Sequence, residues 1–252
     1  MITEKQQLIQ TMLDLGEQLL LSGAEIHRVE DSLARVGKSY GAVKTEVFVL
    51  TSVINITLTF PDESQETQTR RILKNSSNDF KKIEELNSIC RRCAELSIYE
   101  FDSEIKKITS IKPSKIKMYI GSVIAAGAFA VFFGGNVFDG LVAGVFALLI
   151  CFLQNHFAKR CPNNVFFYLV SSVIIGIGIF ACDFIIPVLN ADKIMIGDIM
   201  LLIPGIAITN AAKDVIIGDT VSGIIKFAES LLWAVSLAGG FMLAMVLWGG
   251  AF

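Results

Sequence analysis

The chain has 252 residues, of which 53% are hydrophobic and 18% are charged, and its formal net charge is −2. Such a small net charge gives no indication of nucleic acid or of another strongly charged partner. The five cysteines include one Cys-x-x-Cys pair, Cys90 and Cys93, without the second pair or the neighbouring histidines that a zinc site needs. We therefore predict no metal site and no cofactor, and we interpret the two thiols as buried on a helical face.

Charged and apolar residues are distributed unevenly along the chain. Residues 1–117 carry most of the charge, whereas residues 118–252 are almost continuously apolar. This asymmetry indicates a polar N-terminal domain joined to a domain that lies in a lipid bilayer. We place the two domains at residues 1–112 and 113–252, and we expect a polytopic α-helical membrane protein with an N-terminal α+β cytoplasmic domain.

The N-terminal domain is predicted to begin with two amphipathic helices. Residues 5–21 and 24–40 both repeat apolar side chains with a helical period, and Ser22-Gly23 separates them. Gly41 is a typical helix stop. The second helix carries a group of polar side chains near its start: Glu25, His27, Arg28 and Glu30.

Strands and a further helix are predicted after Gly41. Residues 43–60 are rich in Val, Ile and Thr and predict two strands, with Pro61-Asp62 as the turn into a third strand at about 65–72. A single amphipathic helix is predicted over 80–103, and residues 105–113 are expected to link it to the membrane domain.

Five hydrophobic segments in the second half are each close to the roughly 20 residues that cross a bilayer core. They are residues 117–134, 137–157, 165–189, 194–212 and 221–248. Lysines before the first segment, and Lys159-Arg160 between the second and third, predict a cytoplasmic N-terminal domain and an external C-terminus. We expect a multi-pass protein of the plasma (inner) membrane, and the odd number of spans suggests a partner.

The fourth hydrophobic segment is interrupted by Pro204-Gly205. Proline removes a backbone donor, and such a break is tolerated in hydrocarbon only where the freed groups face protein or a polar cavity. Broken helices of this kind form substrate and ion sites in secondary transporters, and ionisable residues at membrane depth are functional candidates. The predicted substrate or ion pathway comprises Asp198, Pro204, Gly205, Thr209, Asn210, Asp214, Lys226 and Glu229.

Structural alternatives exist for several members of this set. Lys226 and Glu229 are three residues apart and can form an ion pair on one helix face. Residues 210–214 can belong to a solvated loop, and Pro204 can make a packing kink without further function.

Two separated segments resemble the threonine/serine exporter (ThrE) family. The first runs from Leu21 through Glu30 to Tyr40-Gly41, and the second comprises Leu202–Gly205, Thr209–Ala211, Asp214, Gly218-Asp219 and Ser222-Gly223. The similarity covers essentially the whole chain, and the length and five spans resemble the larger, YjjP-type subunit of the split form of the family. The resemblance implies a small second membrane subunit of the ThrE/YjjB type, and export of threonine, serine or a dicarboxylate such as succinate.

The leading hypothesis is therefore a subunit of a secondary exporter of small molecules, and not an enzyme. No Walker A pattern occurs in the chain, so a P-loop ATPase is not expected within it. One alternative is a membrane-tethered hydrolase with His27 as base, oriented by Glu25 or Glu30, and Ser22 or Thr51 as nucleophile. No nucleophile-elbow pattern supports it, and we assign no catalytic residue. A second alternative is a scaffold subunit that does not transport.

Overall fold

The computed structural model describes residues 4–73, 78–111 and 114–249, with the exception of the Lys159 side chain. By the contacts among its residues, the chain divides into two units. The first unit combines residues 1–112 with Thr209–Lys226, and the second combines residues 113–208 with residues 227–252. The predicted domain boundary at 112–113 lies outside the described residues and stays a prediction.

Helices α1 (Glu4–Leu21) and α2 (Ile26–Ser39) begin the first unit, close to the predicted bounds. Apolar residues on one side of α1, among them Leu8, Met12 and Leu15, are fully buried in the core of this unit. Gly23 and Gly41, which follow the two helices, both have φ of 87°, a left-handed conformation that favours glycine. The stop signals read from the sequence are therefore correct.

Strands β1 (Lys44–Leu50), β2 (Val53–Thr59) and β3 (Gln65–Arg71) form an antiparallel sheet in the order β1-β2-β3. Alternate residues of the central strand, Ile54, Ile56 and Leu58, are fully buried and belong to the same core as α1 and α2. The intervening residues are polar, and the hydroxyls of Thr57 and Thr67 lie 2.9 Å apart across the strands. This alternation is typical of a sheet with one covered face, and it confirms the three predicted strands.

The single helix predicted over 80–103 is wrong. The structure has α3 (Phe80–Arg91), a 3₁₀ turn at Cys93–Glu95, and α4 (Ile98–Ser110), which also covers most of the predicted link at 105–113. Ser97 and Glu100 form a capping box, in which each side chain accepts a hydrogen bond from the backbone N–H of the other residue. This local pairing begins a new helix and satisfies N–H groups that a continuous helix would have paired internally.

The apolar half of the chain is helical. Its helices are α5 (Lys115–Phe132), α6 (Val137–His156), α7 (Asn164–Ile185), α8 (Ala191–Leu202), α9 (Gly205–Ile217) and α10 (Thr220–Gly249). In the described residues four of these are long and apolar enough to cross a membrane, and α8 with α9, bent by 49°, can form a fifth span. The break falls at Ile203-Pro204, so Pro204 interrupts the helix as predicted, whereas Gly205 is the first residue of α9.

Helices of the second unit approach one another closely at small residues. A Cβ atom added to Gly127 of α5 would lie 2.8 Å from the carbonyl oxygen of Gly140 in α6. One added to Gly240 of α10 would lie 2.5 Å from the carbonyl oxygen of Leu169 in α7. Small residues at such crossings allow backbones to pack together without a hydrophobic driving force from water, as expected for helices in lipid.

Candidate functional site

Asp198 lies on the buried face of α8 in the second unit. Its exposed fraction is 0%, and neither carboxylate oxygen has a hydrogen-bond partner among the described residues. The neighbouring Gly197 packs so tightly on α5 that an added Cβ would lie 2.6 Å from the carbonyl oxygen of Ala126. A carboxyl group in an apolar helix interface without a donor is costly, which makes it a functional candidate rather than a packing residue.

The helix break lies a few residues further along the chain. Pro204 is buried, and the Gly205 N–H donates to the carbonyl oxygen of Ile203 at 2.8 Å. A Cβ atom added to Gly205 would meet nothing within 4 Å, among the described residues. The space beside the Gly205 α-carbon is therefore open.

A second buried carboxylate of the same unit, Asp139 near the start of α6, is fully paired. One oxygen accepts from the Asn190 backbone N–H at 2.8 Å. The other accepts from the Asn136 backbone N–H at 2.7 Å and from the Asn190 side-chain amide at 2.9 Å. Asp139 thus ties the α5–α6 turn to the α7–α8 connection.

Asp214 of α9 belongs to the first unit and is also fully buried. One of its oxygens accepts from the Lys226 ammonium at 2.7 Å, and the other has no partner in the part of the chain that the structure describes. Lys226 is thus directed to Asp214, and Glu229, its expected partner, is exposed on α10. The solvated loop considered for residues 210–214 is wrong as well, because α9 continues to Ile217.

The polar start of α2 contacts the segment that contains Asp214. The Lys213 ammonium lies 2.9 Å from one oxygen of Glu25, and the Arg28 guanidinium lies 3.2 Å from the other. The hydrogen bond from Lys213 is the main cause that lowers the pKa of Glu25, burial opposes it, and the charge of Arg28 adds to it. The Asn210 amide also donates to the Gly23 carbonyl oxygen at 3.4 Å.

Glu30 lies one turn further along α2 and accepts from the Val49 backbone N–H at 2.9 Å. Burial raises its pKa, the Val49 hydrogen bond opposes the shift, and the charge of Asp219 adds to it. One oxygen of Asp219 is itself buried without a partner among the described residues. Carboxylates from α2 and from the α9–α10 connection are therefore close enough to influence one another.

His27 and Ser22, two members of the hydrolytic set considered as an alternative, have other partners in the structure. The His27 imidazole lies 3.4 Å from the Asp31 carboxylate. Among the described residues it forms no ion pair with Glu25 or Glu30. Ser22 donates its hydroxyl to the Gln18 carbonyl oxygen at 2.7 Å and is buried.

The predicted residues thus fall into two groups. Thr209, Asn210, Asp214 and Lys226 belong to the first unit with the α2 residues, while Asp198, Pro204, Gly205 and Glu229 belong to the second unit. Sequence reasoning missed Lys213 as the partner of Glu25, from which it is separated by 188 residues. The helical spacing of three residues between Asn210 and Lys213 places both on one side of α9, but it does not identify their partners near the start of α2.

The fold and these buried carboxylates define a multi-pass helical membrane protein with one broken helix and a polar unit that contains a small sheet. The chain belongs to the threonine/serine exporter (ThrE) family, whose model, described as "Putative threonine/serine exporter", matches residues 10–248. This match confirms the resemblance seen in the sequence motifs.

Two relatives match at least nine tenths of the chain at low identity. A protein of Klebsiella aerogenes named "Probable succinate transporter subunit YjjP" is 24% identical over 238 residues, which cover 92% of this chain and 90% of that protein. The protein of the same name from Escherichia coli K12 is 23% identical over 262 residues, with 99% and 98% coverage. No solved structure matches.

Proposed function

We propose that this protein is a subunit of a secondary exporter that works with a small second membrane subunit. Its substrates are small amino acids such as threonine and serine, or small dicarboxylates such as succinate. Membership of an exporter family supports the transport function, and the relatives' description as transporter subunits supports a partner. The single observation that carries the proposal is Asp198, a fully buried carboxyl without a hydrogen-bond donor among the described residues, six residues before a proline break.

Asp198 has two chemical roles open to it in such an exporter. In the first, its carboxylate binds the ammonium group of an amino acid, which supplies the missing donors. In the second, it carries the proton that couples export to the proton motive force. The start of α9 at Gly205 favours the carboxylate end of either substrate class, because the first N–H groups of a helix carry partial positive charge.

Efflux from proteoliposomes tests the role of Asp198. We expect Asp198→Asn, in the presence of the partner subunit, to reduce efflux at least about tenfold, since an amide neither carries a proton nor pairs with an ammonium. Asp192→Asn is the matched control, because Asp192 lies on the same helix, is 65% exposed and pairs with Lys193 at 3.0 Å. Normal efflux by Asp198→Asn at equal protein level would contradict the proposal.

The same assay separates substrate classes and the need for a partner. Vesicles loaded with labelled threonine, serine or succinate identify the substrate by its rate of release. We expect little release from vesicles that contain this chain alone, and rapid release from them would show that the second subunit is not required.

We further propose that the N-terminal domain is cytoplasmic and that the protein lies in the plasma (inner) membrane. Lys106, Lys107, Lys115 and Lys117 precede or begin the first span and support this orientation. In a variant without native cysteines, a cysteine at Lys81 is expected to react with an impermeant thiol reagent only after the cells are opened. A cysteine at Asp192 is expected to react in intact cells, and the reverse pattern would overturn the orientation.

A further inference from the structure

A polar pocket of about 240 Å³ lies between α2 and α3 in the first unit. Its polar lining comprises Arg28, Asp31, Ser32, Arg35, Asn87 and Arg91, and Cys90 completes it. The pocket therefore combines the polar start of α2 with the Cys-Arg-Arg-Cys segment at the end of α3, two sequence features for which the transport function gives no role.

The lining of this pocket is strongly positive. The lining contains three guanidinium groups and one carboxylate, so its formal charge is +2. Arg28 pairs with Glu25 at 3.2 Å, but Arg35 and Arg91 form no ion pair with any described residue. Guanidinium groups present planar pairs of donors that fit carboxylate and phosphate oxygens, and two such groups on facing helices can hold one anion from both sides.

Neutral groups of the pocket also suit an anion. The Ser32 hydroxyl donates to the Asn87 side-chain oxygen at 3.4 Å, which leaves the Asn87 amide nitrogen without an acceptor in the described part of the chain. Burial raises the pKa of the Cys90 thiol to about 12, against the opposing charges of Arg35 and Arg91. The thiol is therefore neutral at physiological pH and adds no negative charge to the site.

We propose that this pocket binds a small dianion with carboxylate or phosphate oxygens, held by Arg35 and Arg91 and oriented by the Asn87 amide. A dianion neutralises the formal charge of +2, whereas a zwitterionic amino acid leaves it unchanged. The site is separate from the broken helix, and its existence does not depend on which solute the protein exports.

Arg28 connects the pocket with the ion pairs between the start of α2 and α9. Its guanidinium lines the pocket and also contacts Glu25, which in turn binds Lys213 of α9. A bound dianion competes with Glu25 for Arg28, and Glu25 then keeps Lys213 as its cationic partner. Occupancy of the pocket thereby changes the ion pairs at the contact between α2 and α9.

Calorimetric titration of the full-length protein in detergent, at low ionic strength, tests this site. The probes are succinate, hydrogen phosphate and threonine, added separately. The variants are Arg35→Gln and Arg91→Gln, and the matched control is Arg92→Gln, an adjacent exposed arginine that does not line the pocket. The titrations are repeated with Asp198→Asn, so that binding along the proposed transport pathway is recognised separately.

We expect succinate, phosphate or both to bind, and each pocket substitution to raise Kd by about tenfold, because a hydrogen bond to a charged group contributes about that factor. Arg92→Gln and Asp198→Asn should leave this Kd unchanged, and added salt should raise it. Arg91→Lys, which keeps the charge but loses the planar fork, should give an intermediate Kd and serves if a glutamine variant fails to fold.

Three results would overturn the proposal. The first is the absence of any heat from both dianions. The second is a loss of affinity with Arg92→Gln as large as with Arg91→Gln, which would indicate a general effect of surface charge. The third is binding of threonine to the Asp198→Asn variant as tight as that of the dianions, with the same loss in Arg91→Gln, which would show that the net charge of the pocket does not select the ligand.

Discussion

Asp139 and Asp198 are both fully buried carboxylates of the second unit, and they have opposite surroundings. Asp139 accepts three hydrogen bonds from Asn136 and Asn190, whereas neither oxygen of Asp198 has a partner among the described residues. Burial alone therefore does not indicate whether a carboxylate is structural. The number of donors distinguishes the two residues, because a satisfied carboxylate stabilises its surroundings and an unsatisfied one is costly, which supports the proposed role of Asp198 in transport.

The comparison extends to Asp214, which has one paired oxygen and one unpaired oxygen. Replacing Lys226 by Met leaves this carboxylate as isolated as Asp198. We expect the largest loss of stability here, about 3–5 kcal/mol, because a buried charge then lacks its partner. Chemical unfolding in mixed micelles measures it. The double variant Lys226→Met with Asp214→Asn should recover most of the loss, and an equal loss in both variants would contradict the charge argument.

Asp139→Asn should have a smaller effect on stability. In this variant one side-chain oxygen still accepts a hydrogen bond. The new amide nitrogen replaces the other oxygen and meets an N–H donor of Asn136 or Asn190, which lowers the free energy of unfolding by about 1–3 kcal/mol. The midpoint of thermal unfolding is expected to fall, while efflux per folded molecule stays normal. A variant with normal stability and lost efflux would show that Asp139 is functional rather than structural.

Asp198→Asn should change stability least among the buried carboxylates, by less than about 1 kcal/mol, since no hydrogen bond of the native protein is lost. The same unfolding measurement applies, with wild type and Asp139→Asn in parallel. A loss as large as that of Asp139→Asn would indicate that Asp198 has donors in the folded protein. Asp139→Asn is thus expected to lower stability and keep efflux, whereas Asp198→Asn is expected to keep stability and lose efflux.

In the pair of Glu25 and Lys213 the lysine side chain is 51% exposed, so the contribution of the pair to stability is also small, at roughly 0.2–1 kcal/mol. The folded protein lowers the pKa of Glu25 from the usual 4.5. The contribution is therefore present at neutral pH and is lost as pH falls below 4.5 and through the folded-state pKa. Unfolding measured against pH should show a weaker acid dependence in Glu25→Gln, and an unchanged dependence would contradict this.

Much of the fold could be predicted from the periodicity of apolar residues and from the chemistry of single residues. The helical repeats of α1 and α2, the alternation of β2 and the length of the apolar segments predict their elements, because each is decided by neighbouring residues. The break at Pro204 follows from the covalent chemistry of one residue. The split between α3 and α4 was missed because the apolar repeat masked a capping box at Ser97 and Glu100, although that pair was visible in the sequence.

The polar contacts were less accessible to prediction from sequence. The buried carboxyl of Asp198 was identifiable, since an acid in an apolar segment is unusual. Its lack of donors was not, because that depends on residues from other helices. In the same way, Glu25 with Lys213 and the facing arginines of α2 and α3 require the folded arrangement, and no repeat or spacing rule connects positions so far apart.

The shortness of α8 has a consequence for how the protein is made. Twelve residues span only about 18 Å at 1.5 Å per residue, well below a bilayer core of about 30 Å. Asp198 adds an insertion cost of roughly 2.5–3.5 kcal/mol near the centre of a helix. Insertion of α8 into lipid by itself, without contacts to other helices, is therefore expected to be unfavourable. Helix α8 packs against α5 and α6, which leave the ribosome earlier, so these two helices can cover Asp198 as α8 enters the membrane.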